Sequence, residues 1–131
     1  MVMYLIRMFG ISLMLTIAIE LAAALLFGMC MRKNMLLVVL VNIFTNPPSV
    51  LCNWLCRLYL PDYHRVAVQL AIEVFVITAE ALIYSGFAKD EQWQIRRPVL
   101  FSLTANGCSW LLGVLGGAAL SLLKQAFFIH I

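Results

Sequence analysis

Residues 35–60 read MLLVVLVNIFTNPPSVLCNWLCRLYL, and this stretch decides the fold class. Arg57 is its single charged side chain. Because an α-helix rises about 1.5 Å per residue, the stretch is long enough to cross a hydrocarbon core of roughly 30 Å. A segment this apolar and this long predicts a transmembrane helix.

The rest of the chain has the same character. Of its 131 residues, 64% are hydrophobic and 11% are charged, whereas an ordinary soluble domain carries roughly 25% charged residues. The mean hydropathy is +0.99. The net charge of +3 is too small to indicate nucleic-acid binding, and the four cysteines show neither disulfide-framework nor zinc spacing. We therefore expect an integral protein of the inner or plasma membrane, with the lipid bilayer as its surroundings and no nucleic-acid partner.

Three charged or proline-marked breaks, at 32–34, 61–65 and 89–98, divide the chain into four apolar segments. The first apolar run continues to Met31, which is longer than the core of about 7–15 residues in a signal peptide. We therefore expect a retained span there. The predicted spans are about 4–31, 35–60, 64–88 and 98–127.

These spans predict an all-α polytopic membrane protein with four transmembrane helices. Short connections make neighbouring helices antiparallel, so residues 1–131 form one transmembrane domain of two helical hairpins, about 4–60 and 64–127. The loops 32–34 and 89–98 carry five basic residues against four on the opposite side. Because cytoplasmic loops are enriched in Lys and Arg, we expect these two loops to be cytoplasmic.

Three acidic residues, Glu20, Glu73 and Glu80, lie inside the predicted spans. A carboxylate at the centre of a span costs about 2.5–3.5 kcal/mol to insert. Glu20 and Glu80 lie too deep to reach the interface, whereas Glu73 is shallower and can. No Lys or Arg lies at the same depth, so the deep acids are expected to be protonated or neutralised by a bound cation. Intramembrane acids of this kind are usually functional.

Asparagines accompany the acids, with Asn42 and Asn46 in the second span and Asn106 in the fourth. Hydrogen bonding between helices is the alternative explanation for each of them. Asn46 also opens the motif Asn-Pro-Pro. Pro47 and Pro48 lack the backbone donors that would pair with carbonyls four residues earlier. We predict that the second helix is broken there, as in transporters whose freed carbonyls coordinate cations; an ordinary proline kink is the alternative.

An internal repeat joins these features. Sliding the chain by 60 residues without gaps places Glu20 on Glu80 and Asn46 on Asn106, and it superposes the two basic turns. The match predicts two parallel-repeated hairpins related by an axis along the membrane normal. In such a bundle both Glu–Asn pairs approach the axis near the bilayer midplane.

Carboxylate and amide oxygens suit a hard monovalent or divalent cation, or a proton, better than a soft metal. The predicted metal ligands are Glu20, Glu80, Asn46 and Asn106, with Asn42 beside them and Glu73 on the approach. The leading hypothesis is a small transporter or channel for a hard cation or protons, which is not an enzyme and forms a homo-oligomer.

Two other functions stay open. One is a non-catalytic membrane subunit whose buried acids pair with a helix of a membrane protein partner. The other is an intramembrane enzyme that uses Glu73 and Glu80 as acid and base.

Overall fold

The computed structural model of the protein describes residues 2–60 and 64–129, and every regular element in these ranges is a helix. The four α-helices each contain a stretch long and apolar enough to cross a membrane. The all-α prediction with four spans is therefore confirmed. The helices are α1 (Val2–Leu26), α2 (Arg32–Tyr59), α3 (Arg65–Phe87) and α4 (Pro98–Ile129).

The first helix ends at Leu26, five residues before the predicted end of its span. Gly28 adopts a φ of 76°, a left-handed conformation that favours glycine. Its N–H donates to the carbonyl of Leu25 at 3.0 Å, and the N–H of Met29 donates to the carbonyl of Ala24 at 2.9 Å. This pair of bonds is the Schellman arrangement that closes helix ends. The apolar composition continues past Leu26, but the glycine turns the backbone out of the helix.

The second helix runs without interruption through Pro47 and Pro48. This continuous helix does not confirm the predicted break at the motif, and a break or bend there stays a prediction. The two residues immediately before the proline pair form hydrogen bonds with other helices. Thr45 contacts α3 and Asn46 contacts α1 through side-chain hydrogen bonds.

The bundle is a ring in which α1 and α3 each pack against both α2 and α4. We call the end of the bundle with the connections 27–31 and 88–97 the turn end. The opposite end, where α2 ends and α3 begins, is the α2–α3 end. Apolar side chains fill the turn half, where the ring of Phe101 lies 5.0 Å from that of Tyr84 and 5.5 Å from that of Phe27. The fully buried members of this core are Ala24, Met29, Val38, Tyr84, Phe101 and Ala105.

The connection 88–97 folds back over this core. Its Ile95 is buried, and the ring of Trp93 lies 4.7 Å from that of Phe87. Lys33 at the start of α2 places Nζ 5.3 Å from the Trp93 ring centroid, a cation–π distance. These side chains cover the turn end, where a pocket of about 460 Å³ lies between Phe27, Gly28 and residues 91–96. Large apolar residues such as Phe44, Phe75 and Leu82 point outward as a surface suited to lipid.

Candidate functional site

The two deep acids lie inside the bundle, with Glu20 on α1 being 0% exposed and Glu80 on α3 being 1% exposed. One face of α2 contacts both of them. Asn42 bonds to Glu20, and Thr45, three residues later, bonds to Glu80. Residues three apart are neighbours on a helix surface, so the structure brings the two carboxyl groups to adjacent positions along α2.

Glu80 is held by both of its oxygens. Oε2 accepts a hydrogen bond of 2.5 Å from Nδ2 of Asn106. Oε1 lies 2.8 Å from Oγ1 of Thr45, which is also 3.0 Å from the carbonyl of Val41. A hydroxyl carries one hydrogen, so Thr45 donates either to Glu80 or to Val41. In the second arrangement Thr45 accepts a hydrogen bond from a protonated Glu80, so it can serve both protonation states.

Glu20 is paired differently from the prediction. Its Oε2 accepts a hydrogen bond of 2.6 Å from Nδ2 of Asn42, whose second hydrogen goes to the carbonyl of Val38 at 3.0 Å. Asn46, the expected partner, instead donates to Oγ1 of Thr16 at 2.9 Å. The expected pairing of Glu20 with Asn46 is therefore wrong, and Asn42 takes that role.

Asn42 precedes Asn46 by one helical turn, and the lengths of the two helix connections explain why it takes the place of Asn46. Residues 27–31 join α1 to α2, whereas the longer segment 88–97 joins α3 to α4. An ungapped offset of 60 residues therefore keeps α1 in step with α3 but not α2 with α4. Glu20 bonds to an asparagine 22 residues later, and Glu80 to one 26 residues later.

A polar cavity of about 370 Å³ lies between the four helices, in the half of the bundle nearer the connection from α2 to α3. Its inner end is at Glu80 and Asn106, and its walls extend along the helices to Arg57 and Gln69 near the α2–α3 end. Glu20 does not line it. The other lining side chains that matter for its chemistry are Ser12, Thr16, Asn42, Asn46, Asn53 and Glu73.

Glu73 lies on the cavity wall, partly exposed and without a hydrogen bond to any residue that the structure describes. It precedes Glu80 by two turns on α3, which is about 10 Å along the helix axis. The structure thus places Glu73 between the cavity mouth and Glu80. A carboxyl group that faces a cavity without a partner can take a proton or a cation from water.

A dense cluster of metal ligands is absent from the described part of the chain, where no three His, Cys, Asp or Glu side chains come together. Of the four predicted metal ligands, Glu80 and Asn106 bond to each other, and Glu20 and Asn46 bond to other residues. A hard cation bound at this level would therefore depend on one carboxylate together with amide and hydroxyl oxygens.

Three residues of this region were missed in the sequence. Thr45 bonds directly to Glu80 but was not singled out in the sequence. Thr16 precedes Glu20 by one turn, and Tyr84 follows Glu80 by one turn. A spacing of four residues places two side chains on the same helix face. Applied to the deep acids, this rule would have identified Thr16 and Tyr84.

Comparison with known proteins adds no relative, because no family model, no curated protein and no solved structure matches the chain.

Proposed function

We propose that this protein is a small integral membrane transporter for a hard cation or for protons, in which Glu73 and Glu80 receive the ion from the cavity. It is not an enzyme in this proposal. The single observation that carries the proposal is the one-sided polar cavity that ends at the buried carboxyl of Glu80. Intramembrane acids that face an aqueous cavity mark ion pathways and proton relays.

The cavity approaches Glu80 from one side only, which favours a transporter over an open channel. Beyond Glu80 lie the buried rings of Tyr84 and Phe101 and the side chain of Ala105. An ion that reaches Glu80 can therefore leave towards the turn end only if this core rearranges. Alternating access in transporters proceeds by such rearrangement around a fixed site.

The proposed repeat gives this rearrangement a geometric basis. Each hairpin contributes a glutamate from its first helix and an asparagine donor from its second, as Glu20 with Asn42 and Glu80 with Asn106. In the ring of helices a two-fold axis along the bundle would exchange α1 with α3 and α2 with α4. We propose that the two hairpins are related in this way and that rocking of one hairpin against the other around the site would open the opposite side.

The proposal also retains the predicted orientation and assembly. The basic segments 32–34 and 89–98 would face the cytoplasm of an inner or plasma membrane, and the cavity would open to the outside. A homo-oligomer would cover part of the outward apolar surface.

The alternative is a non-catalytic subunit whose acids pair with a partner helix. Glu20 and Glu80 have their hydrogen-bond partners within this chain and point into its own bundle. That arrangement favours the transporter. An enzyme with Glu73 and Glu80 as acid and base stays the third candidate.

The test is flux through the purified protein in liposomes. An interior pH dye and radioactive Na⁺ would follow protons and cations separately across an imposed gradient. Glu80→Gln keeps the shape of the side chain and removes its charge, so flux should fall to the level of empty liposomes. Glu73→Gln should slow flux without abolishing it, because Glu73 lies on the approach.

Glu91→Gln is the matched control, since Glu91 is an exposed residue of the connection 88–97. It should transport like the wild type. Proton and cation flux that persists in a Glu73→Gln, Glu80→Gln double variant would remove the proposal. Flux that appears only when a second membrane protein is added would favour the subunit.

A further inference from the structure

Besides Oδ1 of Asn34 near the start of α2, three buried oxygen atoms have no hydrogen-bond partner among the described residues. They are Oε1 of Glu20, Oδ1 of Asn42 and Oη of Tyr84. All three side chains are completely buried. Because a buried polar atom without a partner costs about 1–3 kcal/mol, such atoms are rare and their presence requires an explanation.

The three atoms are carried by side chains of α1, α2 and α3. The 2.6 Å bond from Asn42 to Glu20 ties the first two groups together. Tyr84 follows Glu80 by one helical turn, and Glu80 is bonded to Thr45, three residues after Asn42.

The orientation of the Asn42 amide is determined by its surroundings. Nδ2 faces two acceptors, Oε2 of Glu20 and the carbonyl of Val38. A flipped amide would place its oxygen against both of them, so Oδ1 is the atom left over. The three side chains therefore offer a carboxyl oxygen, an amide oxygen and a phenol oxygen.

We propose that Oε1 of Glu20, Oδ1 of Asn42 and Oη of Tyr84 bind a monovalent alkali cation, for which Na⁺ is the ion to test. The inference rests on the proposed transport function and adds an ion site separate from the cavity acids. Glu20 and Tyr84 do not line the cavity, whereas Asn42 does, so Asn42 lies between the cavity and this site.

Charge and ligand type select the ion. Oxygen ligands favour hard cations. One carboxylate balances one positive charge, and a buried charge is tolerated when it is paired. Ca²⁺ would require about 6–8 oxygen ligands, and Mg²⁺ requires an octahedral set.

The experiment is thermal unfolding of the full chain in detergent, followed by tryptophan fluorescence, at increasing NaCl. Ionic strength is held constant with N-methylglucamine chloride, and KCl and LiCl series show the ion preference. A ligand that binds only the folded state raises stability with the logarithm of its concentration. We expect that behaviour for the wild type and its loss in Glu20→Gln.

Tyr84→Phe is the sharper variant, because it keeps the ring that packs on Phe101 and removes only the oxygen. The Na⁺ concentration needed for a given stabilisation should rise about tenfold or more, comparable with the loss of supporting groups at other ion sites. Tyr59→Phe is the matched control, since Tyr59 is 80% exposed, and it should behave like the wild type. If Glu20→Gln does not fold, the tyrosine pair still decides the question.

The outcomes separate this inference from the proposed function. Na⁺ stabilisation that is unchanged in Tyr84→Phe and in folded Glu20→Gln would overturn the ion site. Stabilisation by acid alone, with no dependence on Na⁺, would overturn it in favour of a proton on Glu20, while proton transport would survive. Na⁺ stabilisation that is retained in Glu73→Gln and lost in Glu20→Gln supports the site. The same pattern without any flux in the wild type would remove transport and keep the ion site.

Discussion

Nδ2 of Asn106 donates a hydrogen bond of 2.5 Å to Oε2 of Glu80, joining α4 to α3 between two buried side chains. The same amide nitrogen also donates to the carbonyl of Ser102 one turn earlier, at 3.1 Å. Both amide hydrogens are thus used, and the carboxyl group is oriented towards the end of the cavity. The bond contributes to the stability of the bundle as well as to the proposed site.

Asn106→Ala should destabilise the fold, because it leaves Oε2 of Glu80 buried without a donor. The expected loss is about 1–3 kcal/mol in the free energy of unfolding, measured by denaturant titration in detergent. Thr104→Ala is the control on the same helix, because Thr104 bonds only to the carbonyl of Leu100 within α4. An equal loss in both variants would mean that the bond to Glu80 contributes nothing specific.

Phe101→Ala should open a cavity in the apolar core at the turn end. Phe101 is completely buried between Tyr84 and Phe27, and removing a buried phenylalanine costs about 3–5 kcal/mol. Phe75→Ala is the control, since Phe75 is 74% exposed on the outer surface. The unfolding midpoints of the two variants should differ clearly, and similar midpoints would contradict the packing described for this core.

Thiol labelling should locate the cavity mouth. In a background with Cys30, Cys52, Cys56 and Cys108 changed to Ser, a membrane-impermeant maleimide should label Asn53→Cys from the outside. The physical reason is that Asn53 lines the cavity near the α2–α3 end.

Two further cysteines complete that experiment. Ser102→Cys should stay unlabelled, because Ser102 is fully buried. Glu91→Cys in the connection 88–97 should be labelled only when the cytoplasmic face is accessible. Labelling of Asn53→Cys and Glu91→Cys from the same side would contradict the proposed topology.

Replacing Pro47 and Pro48 by alanine should straighten α2 if the prolines bend it. Alanine restores the donors that proline lacks and removes the clash of the ring with the preceding turn. Spin labels at Leu36 and Leu58, both exposed near opposite ends of α2, would report the change by pulsed electron resonance. We expect a longer distance in the double variant; an unchanged distance would show that α2 is already straight.

Composition and break positions were sufficient for the four helices, because a membrane span needs only length and low polarity. The end of α1 could not be predicted from composition in the same way. Apolar residues continue to Met31, but the left-handed Gly28 closes the helix at Leu26. Hydropathy measures transfer into lipid and contains no term for backbone conformation, so it extended the span beyond the helix.

The hydrogen-bond partner of Glu20 also could not be predicted from the sequence repeat. The ungapped offset of 60 residues pointed to Asn46, but Asn42 donates to Glu20. The longer connection between α3 and α4 changes the register of the second hairpin relative to the first. An offset that matches residue types cannot detect this shift, because Asn42 and Asn46 lie on the same helix face.

The sequence by itself determined that this chain has four apolar helices and that acids and asparagines lie deep within them. These properties depend on which residues occur and how far each lies from a polar break. Only the tertiary structure decided that Glu80 faces a polar cavity, that Glu20 is enclosed with Asn42, and that Tyr84 is buried one turn beyond Glu80. Those relationships depend on the rotation and axial offset of each helix against its neighbours, which are set by side-chain packing across the whole bundle.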